Sequence, residues 1–167
     1  MNPTRIPIPA ASSPARAIMS PMPALTRRRE KDRQQESWQV FYADVQVGWI
    51  GERAGEPKGV EQWGWYCGFV PLTHRGLSAN GVAESLDQAR SAFEAAWRDY
   101  LPQCTEADFD EYRFQRAHET WKRRMWDAGC DLPTQTVSGM TKCFCGVIIN
   151  FKTSGDHVRA RHIDVFA

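Results

Sequence analysis

Between Trp38 and Glu52, large apolar residues alternate with small or polar ones on either side of Ala43 and Asp44. A period of two interrupted by a short break predicts two strands joined by a tight turn. The stretch RAGEPKGVE, rich in Gly, Pro and charge, predicts a loop. QWGWYCGFV then restores the alternation, with Trp63, Trp65, Cys67 and Phe69 on one face of a third strand and Gly64 and Gly68 thinning the other. LTHRGLSANGVAE predicts another loop.

Beyond it the period lengthens. Leu86, Ala89, Phe93, Ala96, Trp97 and Tyr100 recur at threes and fours, behind Ser85 as a cap and Gln88 at the capping-box position, and Pro102 stops the run. A second helix is expected from Thr105 to Ala128, opened by Thr105 and Asp108 and closed by Gly129. Its basic end suits the helix dipole; it also offers a cationic face flanked by Trp121 and Trp126. Phe109, Tyr112, Phe114, Ala117, Trp121 and Met125 form a stripe that can bury against the sheet. The fold class expected is α+β: a three-stranded antiparallel sheet packed on one helix (residues 37–101), a bridging helix (105–129) and a small ββα module (140–167).

Residues 1–36 differ from all of this. They hold most of the chain's prolines, carry no acidic residue before Glu30, and are expected to form a disordered tail, or to include a mis-called start with Met19 or Met22 as the true one. A basic contact arm at Arg27, Arg28 and Arg29 is the alternative. Charged KDRQQE follows those arginines where an export signal needs an apolar segment.

Chemistry concentrates in the last stretch, KCFCGVIINFKTSGDHVRARHI, where Cys143, Cys145, His157 and His162 occur in order. Zinc takes four sulfur or nitrogen donors in a tetrahedron, so these four are the candidate ligands of one structural Zn2+. Gly146 lets the chain turn around a metal, and the two Cys side chains share a side if the strand is extended. Val147, Ile148, Ile149 and Phe151 predict a strand; Ser154 or Asp156 can cap a short helix. This pattern resembles the two-Cys, two-His zinc finger over about 22 residues. It departs from that family in having one residue between the cysteines and eleven before the first histidine, with Ser154 in place of the usual apolar residue. Ile149, Phe151 and Val158 are then expected to supply the module's core. His157 and His162, five apart, lie about 140° apart on a regular helix, so the last turn must distort.

A redox CxC pair and simple burial of both cysteines remain open readings, and Cys130 is a possible replacement ligand. Cys67 and Cys104 read as inert packing residues. Four ligands close the metal shell, so no enzyme activity is expected; Asp156 or Asp164 could act as a base only if one ligand were missing.

A second likeness rests on Trp38, Val40, Gly48, Ile50, Trp63, Trp65, Ala89, Phe93 and Trp97, whose pattern resembles small uncharacterised proteins of alphaproteobacteria. The order of three strands and a helix is also similar to the arm-binding domains of tyrosine-type integrases and the plant ethylene-response domain, which lay a sheet in the DNA major groove. Here the strands carry aromatics where such a sheet projects Arg or Lys.

The net charge of +1 gives no global pull toward nucleic acid, so such binding must rest on local patches. Five cysteines and no secretory leader argue for a reducing, cytoplasmic setting, and no apolar run spans a membrane. Two function classes follow. In the first, Lys152, Arg159, Arg161, Arg123 and Arg124 contact DNA or RNA phosphates beside the zinc module. In the second, zinc only staples a protein-interaction module, with the aromatic sheet face as the contact surface.

Overall fold

The structure, a computed structural model, describes residues 24–31, 34–57 and 60–163. Five strands form one antiparallel sheet in sequential order: β1 (Leu25–Arg29), β2 (Ser37–Tyr42), β3 (Val45–Glu52), β4 (Trp63–Cys67) and β5 (Ala79–Ala83). Helix α1 (Leu86–Tyr100) crosses one face of the sheet, and α2 (Glu106–Asp127) leaves from its end. A two-stranded sheet of β6 (Met140–Lys142) and β7 (Ile148–Asn150) follows, then α3 (Ser154–Arg161).

The three-stranded expectation is corrected to five. β1 lies in the stretch expected as a disordered tail, and β5 in the stretch expected as a loop. In β1 only Leu25 reaches the core; Arg27 and Arg28 stack on Trp38 and Phe41 at 5.6 and 4.5 Å, so contacts with the neighbouring strand hold a segment without apolar alternation. β5 is made of small residues because Trp65 lies over it: a Cβ at Gly81 would stand 2.9 Å from Trp65 Nε1. The tail expected over residues 1–23 lies outside the described residues.

The β2–β3 hairpin turns at Ala43 and Asp44, with Ala43 in the left-handed region at φ 52°. The face bearing Trp63, Trp65 and Cys67 is the one α1 covers, and Phe69 joins that core just past the end of β4. The approach is close enough that a Cβ on Gly48 would meet the Phe93 ring at 2.7 Å. All six residues of the α1 stripe belong to this core. Ser85 caps α1 by accepting from the Gln88 N–H, while Gln88 Oε1 returns to the Glu84 N–H, one residue earlier than a standard capping box. The opposite face carries Trp49, over the gap left by Gly64.

Helix α2 opens at Thr105, where Asp108 Oδ2 accepts from the Thr105 N–H (2.7 Å), its hydroxyl (2.9 Å) and Arg75 Nη2 (2.9 Å). It closes at Gly129, which takes φ 66°, with the Cys130 N–H reaching back to the Met125 carbonyl. The helix's apolar stripe does not bury against the sheet alone. Phe109 and Tyr112 join the sheet core, and the Tyr112 hydroxyl accepts from the Gln46 N–H. Ala117, Trp121 and Met125 instead join Cys143, Ile149 and Val158 in a second core, with Phe114 at its edge.

Candidate metal centre

The second core leads directly to the four candidate ligands. Cys143 and Cys145 sit in the turn between β6 and β7, where the Gly146 N–H donates to the Cys143 carbonyl (2.7 Å) and the Cys143 N–H to the Val147 carbonyl (2.8 Å). The Cys-x-Cys is therefore a tight turn and not an extended strand, and Gly146 permits the turn at φ 92°. His157 lies in α3. His162 is the residue after it, with φ −133° and ψ 11°, so the chain leaves helical geometry where the five-residue spacing requires it. The cap of α3 is Thr153 rather than Ser154 or Asp156, and Asn150 Oδ1 orders that turn by accepting from the Lys152 and Thr153 N–H groups.

Cys143 Sγ lies 3.6 Å from His162 Nε2, Cys145 Sγ 3.4 Å from His157 Nε2, and the two Nε2 atoms are 3.2 Å apart. All four ligand atoms fall within 4.8 Å of one another. A zinc tetrahedron with bonds of about 2.3 Å to sulfur and 2.0–2.1 Å to nitrogen has S···N edges near ~3.6 Å and N···N edges near ~3.3 Å. The two S···N separations of 3.6 and 3.4 Å and the N···N separation of 3.2 Å are such edges to within a few tenths of an ångström, and the remaining pairs lie within 4.8 Å. The cluster can coordinate one metal ion, and its dimensions are consistent with a single zinc.

The local electrostatics prepare the donors unequally. Burial holds both imidazoles below the ordinary histidine value; Arg161 adds to this at His157, and His157, Arg124 and Arg161 add to it at His162. Neutral imidazole is the ligating form. Burial raises the Cys143 thiol, so a cation must displace its proton on binding. Trp121 Nε1–H donates to Cys143 Sγ at 3.3 Å inside the second core, and such a bond favours the thiolate. Trp121 in this role was missed by sequence reasoning; only its place on the α2 stripe hinted at the contact.

The other sequence-derived residues separate. Phe151, expected in the module core, is 60% exposed; Ile149 and Val158 are buried, and α2 supplies the missing partners. Cys130 is outside the four-ligand cluster and bonds the Ala128 carbonyl. Burial pushes the Cys67 thiol up to about 12 and that of Cys104 to about 11, so neither is a ready nucleophile at neutral pH. Arg159 turns to α2, pairing with Glu111 at 3.1 Å and stacking on Phe114 at 3.7 Å. Lys152, Arg161, Arg123 and Arg124 are exposed and pair with no carboxylate among the described residues. No helix among the described residues is long and apolar enough to cross a membrane.

No family model, curated protein or solved structure matches this chain. The likeness of residues 38–101 to alphaproteobacterial proteins therefore gains no support from them, and the site must be argued from its own geometry.

Proposed function

We propose that this is a zinc-stapled accessory protein that binds nucleic acid. The observation that carries the reading is the fourfold donor cluster, three of whose separations are those of a zinc tetrahedron, with cationic side chains near it that make no ion pair with a carboxylate among the described residues. Zinc is the fitting ion because two thiolates and two imidazoles in a closed tetrahedron suit its preferences, and the closed shell makes the role structural. Arg124 and Arg161 flank His162, and Arg123 and Lys152 extend the positive patch. Such a patch neutralises phosphates in proportion to its number of contacts. Arg159 is left out of the contact set because it serves the α2–α3 junction.

The test is a zinc assay followed by titration. The parent is expected to hold one zinc per chain, with Cys145→Ser and His157→Ala losing it, and to bind a labelled oligonucleotide with an affinity that falls steeply as salt rises from about 50 mM. Zinc without any nucleic-acid affinity would sink the binding reading and leave the staple. A second reading, a protein-interaction module, draws on a different observation: Met140, Ile148 and Phe151 are exposed large apolar residues grouped at the β6–β7 hairpin. If that reading holds, the parent shows no oligonucleotide binding, and replacing Ile148 and Phe151 with Ser abolishes association with a protein partner while zinc content is kept.

A further inference from the structure

Between the helix-free face of the sheet and the middle of α2 runs a groove of about 500 Å³. That volume falls within the range of roughly 300–1,000 Å³ common for small-ligand sites. One wall is Trp49 and Tyr66, cross-strand partners on β3 and β4. The other is Phe114, Arg116, His118 and Glu119 of α2. Trp49 is 41% exposed, and its indole leans across β4 to within 3.6 Å of where a Gly64 Cβ would stand. The Cη2 edge of the ring thus lies beside β4, and the exposed part of the side chain lines the groove.

The charges in the groove are unequally satisfied. A hydrogen bond from Lys122, with a smaller contribution from the Arg116 charge, holds the Glu119 carboxyl low; Arg116 is exposed and makes no direct ion pair among the described residues. Arg116, Thr120 and Arg123 recur at four and three residues along α2 and face one side, so the positive line continues from the groove toward the cationic residues of the module. An exposed indole beside a guanidinium that makes no direct ion pair among the described residues is complementary to an aromatic ring that carries an anion. An aliphatic acid would leave the indole unused; an organic cation could use the indole face but would meet the Arg116 charge and a Glu119 carboxylate already paired with Lys122.

We propose that this groove takes a base of single-stranded nucleic acid, stacked on Trp49 with its phosphate against Arg116. The inference rests on the nucleic-acid reading above and deepens it by naming the strand state. A duplex keeps its bases stacked on one another and cannot present one to Trp49, whereas every unpaired base has a free π-face. The groove holds the base, and the α2 arginines follow the backbone away from it.

The experiment is fluorescence anisotropy of the full, zinc-loaded chain with labelled oligo(dT) of about 12 nucleotides, a duplex of equal length, and thymidine monophosphate as competitor. The expected result is at least tenfold tighter binding of the single strand than of the duplex. Trp49→Ala should lower single-strand affinity about tenfold while Trp49→Phe retains most of it. Arg116→Gln should reduce the slope of log affinity against log salt by about one. Both sites are exposed, so retained melting temperature in each variant separates lost contact from lost fold. Equal binding of strand and duplex with a silent Trp49→Ala would overturn the groove assignment while leaving the cationic patch as the binding surface. Competition by the mononucleotide at equal affinity would overturn the strand and make the ligand a free nucleotide. No binding of any probe at low salt would overturn this inference and the nucleic-acid reading together.

Discussion

The two halves of α2 face cores of different kinds. Its first turns touch a core of Val40, Val45, Val47, Ile50, Phe93 and Trp97, closed by a five-stranded sheet and α1. Its second half supplies Ala117, Trp121 and Met125, three of the six buried residues of the other core, where they meet Ile149, Val158 and Cys143, itself a candidate ligand. The first core removes enough apolar surface from water to hold its own elements together. The second joins an eight-residue helix, two three-residue strands and one face of α2, which is too little apolar burial for independent stability. The difference teaches where a metal would contribute most: where the chain encloses little core, four donors able to coordinate one ion stand together.

The largest expected effect strikes that difference directly. Removing the metal with a chelator, or replacing Cys145 with Ser, should forfeit a binding free energy of about 10 kcal/mol or more and with it the ordered β6–β7–α3 unit. Amide exchange should then rise across residues 140–163 and stay low in β2–β4 and α1. Simultaneous exchange of both regions would break the comparison and make the chain one cooperative unit. The converse substitution, Phe93→Ala, opens a cavity in the first core and should cost about 3–5 kcal/mol in thermal or denaturant unfolding. Zinc per folded chain should be unchanged by it; loss of metal would show that the sheet also shapes the site.

A finer probe sits between the cores. Trp121→Phe retains most of the packing and deletes the N–H donated to Cys143 Sγ, so metal affinity should fall roughly 10- to 100-fold in a competition assay with a chelating dye. No change would mean that the indole contributes packing alone. The smallest effect concerns the start of α2. Burial raises the Asp108 carboxyl, but hydrogen bonds from Thr105 and the charge and hydrogen bond of Arg75 outweigh it, so the net shift is downward. A carboxyl depressed in the folded state stabilises above its unfolded value of about 3.9, and that contribution is lost as pH falls through the lower folded value. Unfolding free energy measured downward from pH 5 should therefore drop more in the parent than in Asp108→Asn, which should be weaker by about 1 kcal/mol at pH 7. Parallel curves would show that Asp108 has no part in acid sensitivity.

Much of this was legible in the chain itself. The β2–β3 hairpin, the third alternating strand, the capped α1 and α2 and the order of four donors all follow from local patterns, because period, cap and ligand order are written in adjacent residues. β1 and β5 were not legible. Their stability lies in stacking of Arg27 and Arg28 on Trp38 and Phe41, and in room for Trp65 at Gly81, all of which are contacts across strands. The module's core was misjudged for the same reason: Phe151 carries the right hydrophobicity, but α2 already fills the place it would take.

The sequence by itself therefore determined which residues can hold a metal, and in what order, since donor chemistry belongs to each side chain alone. It determined too that the last turn of the helix carrying His157 had to distort by His162, because the helical repeat does not bring residues five apart to one side. Only the tertiary structure decided that the cysteines meet in a turn, that Trp121 donates to Cys143, that Arg159 serves α2, and that Trp49 looks into a groove. Each of those depends on where a distant segment lies, and no local pattern encodes a neighbour that arrives only when the chain has folded.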